Sequence, residues 1–216
     1  MPTLPKSLFW TRTDTAGCDH ARLDDRRGLT VSGVAQAVDP VPHTCRYEVA
    51  TDTGWATTSL AVEASGAGWF RSVHLERAAG RWRVTTAERG DLNAALVAAG
   101  HPPAGLPGTD DPDRLGPAVD VDLGAAPLFN SLPVRRLGLL DAEPGTERRI
   151  SVAWVLVPSL LVVPTDQVYT ALGGQRVRYA SDGFTAELDL DPDGYVRHYP
   201  GLAELVGPGA GAGRPR

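Results

Sequence analysis

"CRYEVATDTGWATTSLAVE", residues 45–63, sets the fold class. Along 45–50 and again along 55–63 the side chains alternate, the period of two expected of strands with one buried face. The "TDTG" between them (51–54) is rich in turn-forming residues, so the two runs read as a hairpin.

The same pattern recurs outward from this stretch. "WFRSVHLER" (69–77) and "RWRVTT" (81–86) flank "AAG". "QVYTAL" (167–172) and "QRVRYAS" (175–181) flank "GG", and "GFTAELDLD" (183–191) and "YVRHYP" (195–200) flank "PDG". Short strands with turns at this spacing predict an all-β, antiparallel sandwich, roll or barrel. Helix signals are sparse. "DLNAALVAAG" (91–100) has an Asp start, leucines at helical spacing and a Gly stop. It lies in an elaborated loop, 87–117, rich in Gly, Pro and Asp. "PGLAELV" (200–206) reads as one or two short turns, and "GPGAGAGRPR" (207–216) as a disordered tail. One domain over 5–206 is expected.

The bulk numbers narrow the function classes. A net charge of −5 over 216 residues, with acids and bases interspersed, argues against a nucleic-acid partner. No apolar run is long enough for a transmembrane segment; "VAWVLVPSLLVV" (152–163) comes nearest and is split by Pro158. The first residues lack the apolar centre of a signal peptide, so a cytoplasmic location with Cys18 and Cys45 as free thiols is the expectation.

Short motifs add little. In "DLDPDG" (189–194), Asp189, Asp191 and Asp193 match the start of a calcium loop, but its twelfth position is Pro200 instead of Glu. The five His show no metal-ligand spacing, and no nucleophile elbow is present. No metal and no cofactor are expected. The five Trp fall in predicted strands, where packing is their ordinary role.

One segment does carry chemistry. "VDVDLGAAPLFNSLPVRRLGL" (119–139) sets Asp120, Asp122, Asn130, Arg135 and Arg136 among apolar neighbours. On a strand, Asp120 and Asp122 share one face and Val119, Val121 and Leu123 the other. "APLFNSLP" (126–133) reads as an irregular connection and "VRRLGL" (134–139) as a following strand, placing Arg135 with Leu137 and Leu139. An inward Arg needs a partner, and Asp120 or Asp122 is the nearest. An Asp–Arg brace, the polar end of a ligand pocket and acid–base catalysis by the paired carboxylates all fit these residues.

The same segment resembles the signature of a bacterial glycolipid-binding family, roughly D-x-D-L, N-T-L-P and I-R-R-L. The resemblance extends through "GCDHARL" (17–23), "CRYEVATDTGWATTSLAV" (45–62), "RWRV" (81–84) and "VAWVLVPSLLVVPTDQVYTAL" (152–172). It also takes in "RVRYAS" (176–181) and "GFTAELDLDPDGYVRHYPGL" (183–202), and so covers most of the chain. The 87–117 loop is longer than the family's, an Arg expected near Thr58 is missing, and Ser131 stands where a Thr is usual. The resemblance implies a strongly curved antiparallel β-roll, or half-barrel, with one short helical insertion, and a pocket for a lipid or glycolipid.

The expectation is therefore a non-enzymatic protein holding an amphipathic small molecule in the hollow of a curled sheet. Asp120, Asp122, Asn130, Arg135 and Arg136 would sit at its polar end, with Phe129, Trp154 and Tyr169 on the apolar wall. The alternatives are an enzyme on a carbohydrate or lipid, with Asp120 or Asp122 as general acid or base, and a pocketless interaction scaffold.

Overall fold

The computed structural model describes residues 6–207; of the tail expected to be disordered (207–216), all but its first residue lies outside them. Seven strands follow one another as a meander: β1 (Lys6–Arg12), β2 (Gly17–Asp24), β3 (Thr30–Ala37), β4 (His43–Thr51), β5 (Thr57–Gly66), β6 (Trp69–Ala78) and β7 (Arg81–Gly90). A long connection carries helix α1 (Leu92–Ala98) and a 3-10 turn (Pro112–Leu115) to β8 (Asp120–Leu123). Helix α2 (Leu128–Arg136) then leads to β9 (Glu147–Val155) and β10 (Val162–Gly173). The chain ends through β11 (Arg176–Ser181), β12 (Phe184–Leu190), β13 (Val196–Tyr199) and β14 (Ala203–Leu205).

All fourteen strands form one sheet, in the order β7-β6-β5-β4-β3-β2-β1-β14-β13-β12-β11-β10-β9-β8. Two meanders thus meet back to back at the β1–β14 pair. The four hairpins expected from sequence are all present, with Val49 opposite Leu60, Leu75 opposite Val84, Tyr169 opposite Tyr179 and Asp189 opposite His198. The sheet curls until its far edge meets the first half: the Thr57 amide on β5 donates to the Val119 carbonyl just before β8, at 3.2 Å. An antiparallel roll is therefore what the alternation encodes, and its edge strands β7 and β8 remain unpaired with each other.

The connection between those edges is more than a loop. Leu92, Leu96 and Leu115 are buried in the main core, and the Trp82 indole donates to the Ala118 carbonyl at 3.0 Å. Arg71, fully buried on β6, ties the connection down. It pairs with Glu88 at 2.6 Å and donates to the carbonyls of Gly105 and Ser159 at 2.7 and 3.1 Å.

Three expectations need correction. Residues 126–139 are not a connection and a strand: their centre is α2 (Leu128–Arg136), whose residues Leu128–Val134 are all buried. β8 and β9 are parallel, and a parallel pair needs a long crossover, which α2 supplies. Residues 203–205, expected in a turn, are β14, paired with β1 and β13. There are consequently two helices and a 3-10 turn among the described residues, where a single insertion was expected.

Two apolar clusters form the core. The larger joins Trp10, Tyr47, Leu60, Leu75 and Trp82 with Phe129 and Leu132 of α2; the smaller joins Val134 with Tyr169, Tyr179, Leu188 and Tyr199. α2 thus fills the hollow of the roll. Four of the five Trp (Trp10, Trp55, Trp69 and Trp82) are buried, as packing predicts.

Candidate functional site

β8 is buried on both faces: Asp120, Val121 and Leu123 are at most 1% exposed. Its register against β9 sets Asp120 beside Val152 and Asp122 beside Trp154. Val121 and Leu123 join the main core, which leaves the two carboxylates turned the other way, as the alternation predicts. They meet different fates.

Asp120 is a brace. Arg136, in the last turn of α2, closes on both of its oxygens, with Nε at 2.9 Å and Nη2 at 2.6 Å. Burial pushes the Asp120 carboxyl up, and the hydrogen bond and charge of Arg136 oppose that push. The predicted partner was Arg135, on a strand. In the helix, Arg135 points elsewhere: it stacks over Trp55 at 4.4 Å and donates to the Asp193 carbonyl. Its aliphatic stem runs against Gly194, whose φ of +87° and close approach, 2.9 Å from an added Cβ to Arg135 Cδ, leave no room for another residue.

Asp122 has no cation. Gln167 Nε2 donates to its Oδ2 at 2.6 Å, and burial pushes its carboxyl up to about 6 against that single hydrogen bond. Behind it runs a directed chain of hydrogen bonds. Asn130 Nδ2 donates to the Tyr169 hydroxyl at 2.9 Å, and that hydroxyl donates to Gln167 Oε1 at 3.0 Å. Gln167 Nε2 also reaches the Tyr179 hydroxyl at 3.3 Å. Every polar atom of the Gln167 amide is thereby committed, which fixes its orientation.

In front of Asp122 lies a pocket of about 170 Å³, bounded by Asn130, Trp154, Tyr179, Tyr199 and Leu202 and by residues 123–126. Tyr179 and Tyr199 meet nearly edge to face, with ring centroids 6.2 Å apart. Phe184, 49% exposed, continues the aromatic surface outward, 6.2 and 6.3 Å from those two rings. The Tyr179 phenol is pushed up to about 12, first by burial and then by the charge of Asp122, with Asp182 adding to it.

Of the residues predicted for a site, Asp122, Asn130 and Trp154 line this pocket, and Tyr169 stands directly behind it. Asp120 and Arg136 form the brace, Arg135 lies with Trp55, and Phe129 packs edge-on against Tyr47 in the core, 5.4 Å between centroids. The apolar hollow expected to hold a ligand is occupied by α2, and the Asp122 pocket is the cavity that the predicted residues line. Sequence reasoning missed Gln167, Tyr179 and Tyr199. Gln167 and Tyr169 alternate onto one face of β10, and the hairpin turn sets Tyr179 opposite Tyr169; both were signals in plain view. A larger open depression, about 540 Å³, lies at Asp24, Arg26, Arg27 and Thr30, where Arg26 is already closed on Asp24.

Comparisons with known proteins bear on the family and the fold. A family model described as "Putative glycolipid-binding" matches residues 7–204. The chain belongs to this family. Among solved structures, the fold is similar to the crystal structure of a DUF1089 family protein from Pseudomonas aeruginosa, with a TM-score of 0.67 and 22% identity. That match covers 89% of this chain and 94% of the other, and at this identity it shows the fold alone. No curated protein matches the sequence. No helix among the described residues is long and apolar enough to cross a membrane.

Proposed function

We propose that this member of the glycolipid-binding family binds the polar head of an amphipathic lipid at the Asp122 pocket, without turning it over. The observation that carries the reading is the pairing of a half-buried carboxylate with an aromatic wall that runs out to the exposed Phe184. At about 170 Å³ the pocket is smaller than the roughly 300 to 1,000 Å³ of sites that enclose a whole drug-sized ligand, so in this reading it takes the head alone. Acyl carbons belong on the apolar rim outside it, where each square ångström removed from water contributes about 25 cal/mol. The polar chain through Gln167, Tyr169 and Asn130 holds the carboxylate in place, which a recognition site needs.

The hydrolytic alternative requires two carboxylates at one cleft. Only Asp122 lines the pocket; Asp120 is taken up by Arg136. That distribution favours binding over catalysis.

A titration of n-octyl glucoside below its micelle concentration, followed by Trp154 fluorescence and calorimetry, tests the proposal. Wild-type protein is expected to saturate with one site. Leu202→Trp, which fills the pocket from the β13–β14 turn, is expected to abolish that site while the melting temperature stays within a few degrees. Unchanged binding in the filled variant would move the ligand away from this pocket.

A further inference from the structure

The charge balance around the pocket carries a more specific statement about the ligand, one that rests on the binding reading above. Asp122 is the sole charged side chain among the residues that line the cavity. Its Oδ2 accepts from a neutral amide, and no arginine or lysine lies within ion-pair distance of it among the described residues. The contrast with its neighbour two residues away is direct: Asp120, fully buried, has a guanidinium on both oxygens, whereas Asp122 is half-buried and has none.

Three aromatic rings, Trp154, Tyr179 and Tyr199, bound the same small volume. Aromatic faces carry negative quadrupole density and attract a cation lying within about 6 Å of a ring centre. A carboxylate taken partly out of water without a counter-charge is costly, and a ligand that brings the counter-charge relieves that cost. A phosphate or carboxylate head would instead be repelled, with no donor cation to receive it.

We infer that the pocket selects a head group bearing a positively charged nitrogen, an ammonium set against Asp122 and enclosed by Trp154, Tyr179 and Tyr199. Within a glycolipid, that chemistry is met by an unacetylated amino sugar. The same ammonium on a soluble amine satisfies the pocket equally, so the lipid portion must be tested separately.

Three octyl probes separate these statements: n-octyl 2-amino-2-deoxyglucoside, n-octyl glucoside and n-octyl phosphate, with free glucosamine as a fourth. At pH 7.5 and low salt, the amino-sugar probe is expected to bind about tenfold tighter than the neutral one, the gain of a desolvated cation–aromatic and carboxylate contact. The phosphate is expected not to bind at this site. Asp122→Asn, which keeps the side chain's shape, is expected to remove the amino-sugar probe's advantage, so that the two sugar probes bind this variant equally. Tyr199→Leu is expected to weaken the amino-sugar probe more than the neutral one.

Equal affinity of the two sugar probes, unaltered by Asp122→Asn, would overturn the ammonium inference and leave glycolipid binding standing. Failure of every octyl probe would overturn both. Free glucosamine binding as tightly as its octyl derivative would support the ammonium preference and overturn the lipid reading.

Discussion

Arg136 on α2 and Asp120 on β8 form a bidentate ion pair, and that pair fixes the end of the helix that fills the roll. The aspartate is fully buried, while the arginine side chain keeps 19% of its surface in contact with solvent. Removing one partner leaves the other without compensation in a region of low dielectric.

Asp120→Ala is therefore expected to cost about 3 to 5 kcal/mol of stability. Urea unfolding of the purified variant measures it. A loss below about 1 kcal/mol would mean that the pair is solvated and contributes as a surface bridge does.

Gly33 illustrates a different constraint. A Cβ there would lie 2.1 Å from the Tyr47 ring, and that ring is held by Phe129 and by its hydroxyl's hydrogen bond to Asp19 at 2.9 Å. Gly33→Ala is expected to destabilise the fold by about 1 to 3 kcal/mol, the range for overpacking a filled core. Thermal unfolding decides; an unchanged melting temperature would show that Tyr47 moves freely.

One buried and one half-buried carboxyl, Asp19 and Asp122, give stability a pH slope. Burial pushes Asp19 up to about 7, against the Tyr47 hydrogen bond and the charge of Arg12, and pushes Asp122 up to about 6. A carboxyl whose folded value lies above its unfolded value of about 4 favours the folded state when protonated. Its contribution is present below pH 4 and fades as the pH rises through 6 to 7. Within these two groups, stability is expected to fall between pH 5 and pH 8. Asp19→Asn should flatten most of that slope and raise the melting temperature at pH 8. A wild-type curve that rises over this interval would contradict the assignment.

Arg71 tests the role of the 91–119 connection. Arg71→Met keeps the stem and removes the donors to Gly105 and Ser159. Hydrogen exchange is expected to accelerate through residues 100–110, with the β1–β6 ladder unchanged. Uniform acceleration throughout the sheet would instead mean that Arg71 supports the fold globally.

The alternation along Cys45–Glu63 and its three counterparts was enough to read the hairpins, because one face of each strand meets solvent and the period of two survives. α2 was illegible for the opposite reason. Leu128 to Val134 are buried on every side, so no amphipathic period exists to detect. Pro127 provides no side-chain cap, and Pro133 sits inside the helix; both speak for a loop. The helix stands on tertiary packing, since nine residues are too few to hold one in water. One local signal was available: Gly138 at φ +63° ends α2, with the Leu139 amide reaching back to Val134 at 3.0 Å and the Gly138 amide to Arg135 at 3.2 Å. That is the Schellman closure, and "RRLGL" has its composition.

Reading 134–139 as a strand turned Arg135 inward and hid Arg136, which is why the brace was assigned to the wrong arginine. The pocket was half legible. Asp122 and Asn130 stood out as polar groups in an apolar segment, whereas Tyr179 and Tyr199 looked like ordinary strand aromatics until the roll brought β11, β13 and β8 together.

The measurement that bears most directly on the central claim is native mass spectrometry of the gently purified protein, before and after organic extraction. A single stoichiometric lipid adduct, removed by extraction and absent from Leu202→Trp, is the predicted result. A bare polypeptide mass that stays unshifted after incubation with bacterial lipid extract would contradict it.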